Sequence, residues 1–144
     1  MTAGAPLDPV DRRETLVHLL FNPVDWDGSG MTPRALTTQD LTDRNRGWSV
    51  QRHECSAKEH YQQIVDRRRR SNPLLKLERL AEVSAAALYD LRVDDAPAVD
   101  VVPDPLSTNE AHALVFATPG LKGSKVKELK AEIIKRVMLK ASPF

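Results

Sequence analysis

The sequence predicts an α+β fold: a small, mostly antiparallel sheet with helices on one face and a C-terminal amphipathic helix. Three observations predict it. Residues 47–52 alternate Trp48 and Val50 with Ser49 and Gln51, the period-two pattern of a half-buried strand. Val126, Leu129, Ile133 and Val137 recur at helical spacing toward the other end, after a Gly123-Ser124 start signal. The order of segments, a strand and helices followed by further strands and a last helix, fits an antiparallel sheet better than alternating parallel units.

Residues 1–10 mix small residues with prolines and carry no periodicity, so they predict a flexible N-terminal arm ahead of a single domain over 11–144. Residues 16–21 are an apolar run broken only by His18 and stopped by Asn22-Pro23, as a buried strand is. Residues 25–33 have loop composition but contain Trp26, whose ring is costly to leave in water, so this loop is expected to fold back onto the core. Residues 38–42 read as one helical turn, with Thr37 or Thr38 as cap and Asp40 in the first turn. Ser56 and Glu59 form a capping box for a helix that carries Tyr61, Ile64 and Val65 on one side.

That helix ends in Arg67, Arg68, Arg69 and Arg70, closed by Asn72-Pro73. Leu74, Leu77 and Leu80 then have helical spacing, whereas 83–93 alternate, which predicts a short helix over 74–82 leading into a strand. Residues 98–102 and 111–117 read as two more strands separated by the turn cluster 103–109. The last helix is predicted over 124–141.

A chain of 144 residues that is 41% hydrophobic can bury the core of one ordinary domain. Lys and Arg number 21 against 20 Asp and Glu, so no global field recruits a polyanion. One cysteine excludes an internal disulfide framework, and no stretch has the length and apolarity of a membrane span. These features place the chain in a reducing cytoplasm, without membrane contact.

The reactive residues concentrate where the Trp48 strand meets the next helix. Cys55 precedes a helix start, where the dipole favours a thiolate, and a persisting strand would align Ser49, Gln51, His53 and Cys55 on one face. Cys55 with His53 or His60 is therefore the candidate nucleophile and base. No orienting acid or oxyanion loop can be picked out around them, and a small buried thiol is the plainer reading. For metal, His18, His53, Glu54, Cys55, His60 and His112 are the available donors, but no usual ligand spacing occurs, so neither a metal nor another cofactor is expected.

Two basic segments raise anion or nucleic-acid contact: Arg67, Arg68, Arg69 and Arg70, and the glycine-containing helix entry with Lys122 and Lys125. Consecutive helical positions point about 100° apart, so the four arginines cannot form one face, and any such contact would be to phosphates and secondary. In the last helix, Ile134, Met138 and Leu139 fall outside the main apolar stripe. They are the expected partner-binding residues, because a helix apolar over much of its circumference is buried on two sides.

The segments 18–28, 46–52 and 101–115, with Gly47-x-Ser49-Val50, Asp104-Pro105 and Asn109-x-Ala111-His112-Ala113, resemble a family of short bacterial proteins found as accessory members of multi-gene conflict or defence operons. The resemblance covers about residues 16–117 and implies a component of a larger system rather than a particular activity. Arg46 and Ser49 are also similar to a strand of ADP-ribosyltransferase-like toxins, although the Glu-x-Glu of that pattern is missing. The functional expectation is a non-enzymatic accessory subunit that docks on a larger partner protein. The alternatives are a small enzyme using the region of His53, Cys55 and His60 or an ADP-ribosyltransferase-like fold, and a subunit that binds the nucleic-acid backbone.

Overall fold

A computed structural model describes residues 8–55, 58–106 and 109–142. The apolar run after residue 14 forms β1 (Thr15–Asn22), whose alternate side chains enter different cores: Leu16 faces one side of the sheet, Val17, Leu19 and Phe21 the other. The loop that follows folds back as expected, with Trp26 buried beside Leu20 and Ala81. Helix α1 (Thr38–Thr42) is capped by Thr37, whose side chain accepts from the Asp40 amide while the Asp40 carboxylate accepts from the Thr37 amide. Strand β2 (Trp48–Arg52) follows, and α2 (Lys58–Ser71) after it. The Ser56 end of the predicted capping box lies outside the described residues.

The next segment corrects the sequence reading. Residues 76–84 are a strand, β3 (Lys76–Ser84), and the helix comes after it as α3 (Ala85–Tyr89), the reverse of the predicted order. The Leu77 and Leu80 spacing misleads because β3 carries a bulge: Leu77 pairs with Phe21 and Arg79 with Leu20, so Glu78 is the extra residue. One inserted residue returns Leu77 and Leu80 to the same face, against α2, and so imitates a helical period. The helix that follows is started by the Ser84 hydroxyl, which accepts from the Ala87 amide at 3.0 Å.

A small hairpin, β4 (Arg92–Val93) and β5 (Ala96–Pro97), turns through Asp94 and Asp95, both at positive φ, as a two-residue primed turn requires. Strands β6 (Val99–Pro103) and β7 (His112–Ala117) lie within a residue of the strands expected at 98–102 and 111–117. The last helix is shorter than predicted. α4 (Gly123–Arg136) ends at Val137, and 138–141 leave it as the strand β8 (Met138–Ala141). No glycine or proline marks that exit. The chain turns because β8 finds backbone partners along β3.

Among the described residues the six long strands form one antiparallel sheet in the order β6-β7-β2-β1-β3-β8. α1, α3 and α4 cover one face through Leu41, Leu88, Val126, Leu129 and Ile133, packed on Leu16, Trp48, Val50 and Val115. α2 covers part of the opposite face through Tyr61 and Val65, so helices flank β1 on both sides. Of the expected N-terminal arm, residues 1–7 lie outside the described residues, while Val10 is buried in the main core. Among the described residues no helix is long and apolar enough to cross a membrane.

Candidate functional site

The register of β2 on β7 sets the polar centre of the molecule. Ser49 lies opposite Leu114 and Gln51 opposite His112, so Ser49 and His112 are diagonal neighbours on one face, within reach of a side-chain contact. His112 Nε2 lies 3.1 Å from Ser49 Oγ, and His112 Nδ1 lies 3.0 Å from Asp104 Oδ2 and 3.1 Å from the Asp104 carbonyl. Two acceptors at Nδ1 assign its proton there, which leaves Nε2 as the acceptor for the Ser49 hydroxyl. Beside this line Asn109 Nδ2 donates to Gln51 Oε1 at 2.6 Å, both residues buried, and Asn109 Oδ1 accepts from the Ala111 amide. Gln51 thus faces away from the Trp48 core as the alternation requires, but Asn109 covers it.

Gly47 lets the chain enter β2. Its φ is +76°, and a Cβ there would meet Leu114 at 2.9 Å. Next to it the sheet opens. β2 pairs with β1 only at Leu16 with Arg52 and Val17 with Gln51, and beyond these His18 turns its ring to the Ser49 carbonyl, with Nδ1 at 2.5 Å, and stacks on Trp48 at 4.9 Å between centroids. Burial lowers the pKa of the His18 imidazole, because the charged form loses its water. The opening holds a cavity of about 210 Å³ whose walls include Arg34, Arg46, Arg68, His18, Trp48 and Ser49. Arg46 is tied to Asp40 at 3.1 Å and Arg68 lies over the Phe21 ring at 4.7 Å.

The residues singled out from the sequence are distributed differently. β2 ends at Arg52 and His53–Cys55 form a single 3-10 turn, so Ser49, Gln51, His53 and Cys55 do not share a strand face. His53 Nδ1 sits 3.1 Å from the Tyr61 hydroxyl. Burial pushes the Cys55 thiol up, the opposite of the activation expected at a helix start. No group of three His, Cys, Asp or Glu side chains suited to a metal occurs among the described residues.

Arg67, Arg69 and Arg70 are exposed on the last turns of α2, with Arg68 half-buried between them, so they form no single basic face. Lys122 occupies the N-cap of α4 without a side-chain cap bond, and Lys125 lies 3.4 Å from Asp94 and 3.6 Å from Glu128, charges that raise its pKa. Ile134, Met138 and Leu139 are exposed by 39%, 60% and 47% and gather at the end of α4 and along β8.

Sequence reading missed two features. Ser49 stands out in the sequence only beside Cys55 and in short motifs, His112 only as a possible metal donor and in a short motif, and Asp104 and Asn109 only in short motifs, and nothing local shows that the pairing of β7 with β2 sets His112 beside Ser49. Arg52 reads as an ordinary strand residue, yet it is buried and donates Nε and Nη2 to the two Glu14 carboxylate oxygens at 2.7 and 2.8 Å. That carboxylate raises the Arg52 pKa. Compared with protein-family models, with curated proteins and with solved structures, the chain matches none.

Proposed function

We propose that this chain is an accessory subunit that docks on a larger partner protein, which adds an extended segment to the open β8 edge of the sheet. The carrying observation is that all four residues of β8 are exposed while, among the described residues, the strand pairs only with β3. An edge strand offers a row of free backbone donors and acceptors, and proteins usually blunt such edges with proline, repeated charges or a covering element. Here Lys140 is the one charge on the strand, and Met138 and Leu139 add apolar surface to that of Ile134 beside it. Main-chain pairing supplies affinity in strand addition and the flanking side chains supply selectivity. The resemblance to accessory members of bacterial defence operons supports the same reading, with the partner encoded in the same system.

The test is a pull-down from the native host with the tagged chain and with its Ile134→Asp, Met138→Lys double variant, followed by mass spectrometry. One protein should copurify with the native chain and be lost with the variant, whose circular dichroism and melting temperature stay unchanged. The same copurifying set with both chains, or a variant that unfolds, sinks docking at this surface.

A further inference from the structure

The docking edge leaves the β2 and β7 half of the sheet free, and there we propose a second activity: Ser49 is a nucleophile, His112 its base and Asp104 the group that positions His112, in a site that hydrolyses small esters bearing a negative charge. Three observations carry it. The groups stand in line, with 3.1 Å from Ser49 Oγ to His112 Nε2 and 3.0 Å from His112 Nδ1 to Asp104 Oδ2. The Asp104 carboxylate and carbonyl both hold the Nδ1 proton, so the nitrogen facing Ser49 is the one able to take a proton. Ser49 is exposed and is also one of the residues lining the cavity opened between β1 and β2, whose walls carry Arg34, Arg46 and Arg68.

The charge of that cavity names the substrate class. Two carboxylates, Asp25 and Asp40, accompany the three guanidinium groups. Asp40 is held by Arg46 and by the Thr37 amide, and Asp25 accepts from the Phe21 amide at 3.0 Å. Among the described residues no ion pair engages Arg34 or Arg68. Their charge is available to a carboxylate or phosphate on the substrate and to the oxyanion that forms during attack.

In the reaction Ser49 Oγ bonds to the ester carbonyl carbon as its proton passes to His112 Nε2, and the carbonyl electron pair moves onto oxygen. The tetrahedral species collapses, the bond to the alcohol oxygen breaks and the alcohol leaves with the proton from His112. Water then repeats the sequence on the acyl-serine, releasing the acid and restoring Ser49.

The experiment uses the full chain, a fluorophosphonate probe and two p-nitrophenyl esters, the neutral acetate and the anionic hemisuccinate. One adduct should form and map to Ser49, vanish in Ser49→Ala and form at least about 100-fold more slowly in His112→Gln. In Asp104→Asn labelling should also slow with melting temperature unchanged, and imidazole nitrogen NMR shifts should show His112 losing its Nδ1-protonated form. The hemisuccinate should be cleaved faster than the acetate, and Arg34→Gln with Arg68→Gln should remove that preference. Ser49 is exposed, so Ser49→Ala folds and serves as the reference if His112→Gln does not. A native chain that labels no faster than Ser49→Ala overturns the nucleophile, and labelling without preference for the charged ester overturns the substrate class. Neither outcome bears on docking at β8.

Discussion

Arg52 is a charged side chain buried in the fold against a charged partner. Its guanidinium and the Glu14 carboxylate are 0% and 1% exposed, and the arginine's remaining arm donates to the Asp8 carbonyl at 3.0 Å. A buried pair contributes little net stability against apolar residues of the same size, but removing one member leaves the other charged without compensation. Arg52→Met should therefore cost about 3 to 5 kcal/mol, and adding Glu14→Gln should recover part of it. The midpoint of urea unfolding reads both, and a single variant as stable as the native chain would contradict the account.

His18 makes the stability of the fold depend on pH. Its pKa in the folded chain lies below the ordinary imidazole value of 6.5, first because of burial, so the unfolded chain binds the extra proton more readily. Stability is then complete above about pH 6.5 and declines as pH falls toward the lowered folded value. His18→Gln should flatten unfolding free energy measured between about pH 7 and 5, where the native chain loses stability. An unchanged slope would mean that the imidazole is solvated.

At the scale of elements, the Ser84 junction shows how a strand hands over to a helix with no intervening loop. β3 ends with Ser84 extended at ψ 142°, and its hydroxyl satisfies an amide of the first turn of α3. Ser84→Ala should destabilise the domain by about 1 kcal/mol, seen as a lower urea midpoint with an unchanged slope. No loss would show that α3 is held by Leu88 and Ala85 packing alone. The opposite handover, from α4 to β8, has no such signal. Val137 continues the helical stripe of α4 and Met138 and Leu139 follow it, so the sequence reads as helix to 141 while the backbone turns extended at Val137, ψ 132°.

For the whole molecule, local pattern settled the α+β class and the positions of β1, α1, β2, β6 and β7, because alternation, caps and turn residues lie within a few neighbours of each other. Trp48 and Val50 face the main core as that alternation demands, and Trp26 folds back into a smaller cluster with Leu20, Ala35 and Ala81. What tertiary structure alone decided are the features made by residues far apart in the chain. The bulge at Glu78 follows from pairing β3 with β1, the end of α4 follows from pairing β8 with β3, and the Arg52–Glu14 bond joins positions 38 apart. The line from Ser49 through His112 to Asp104 joins positions 63 and 8 apart and depends on the register of β2 against β7. A register shift of one residue would turn Ser49 from the outer face to the Trp48 core. The sequence supplies those side chains one by one, but only the pairing of strands brings them together.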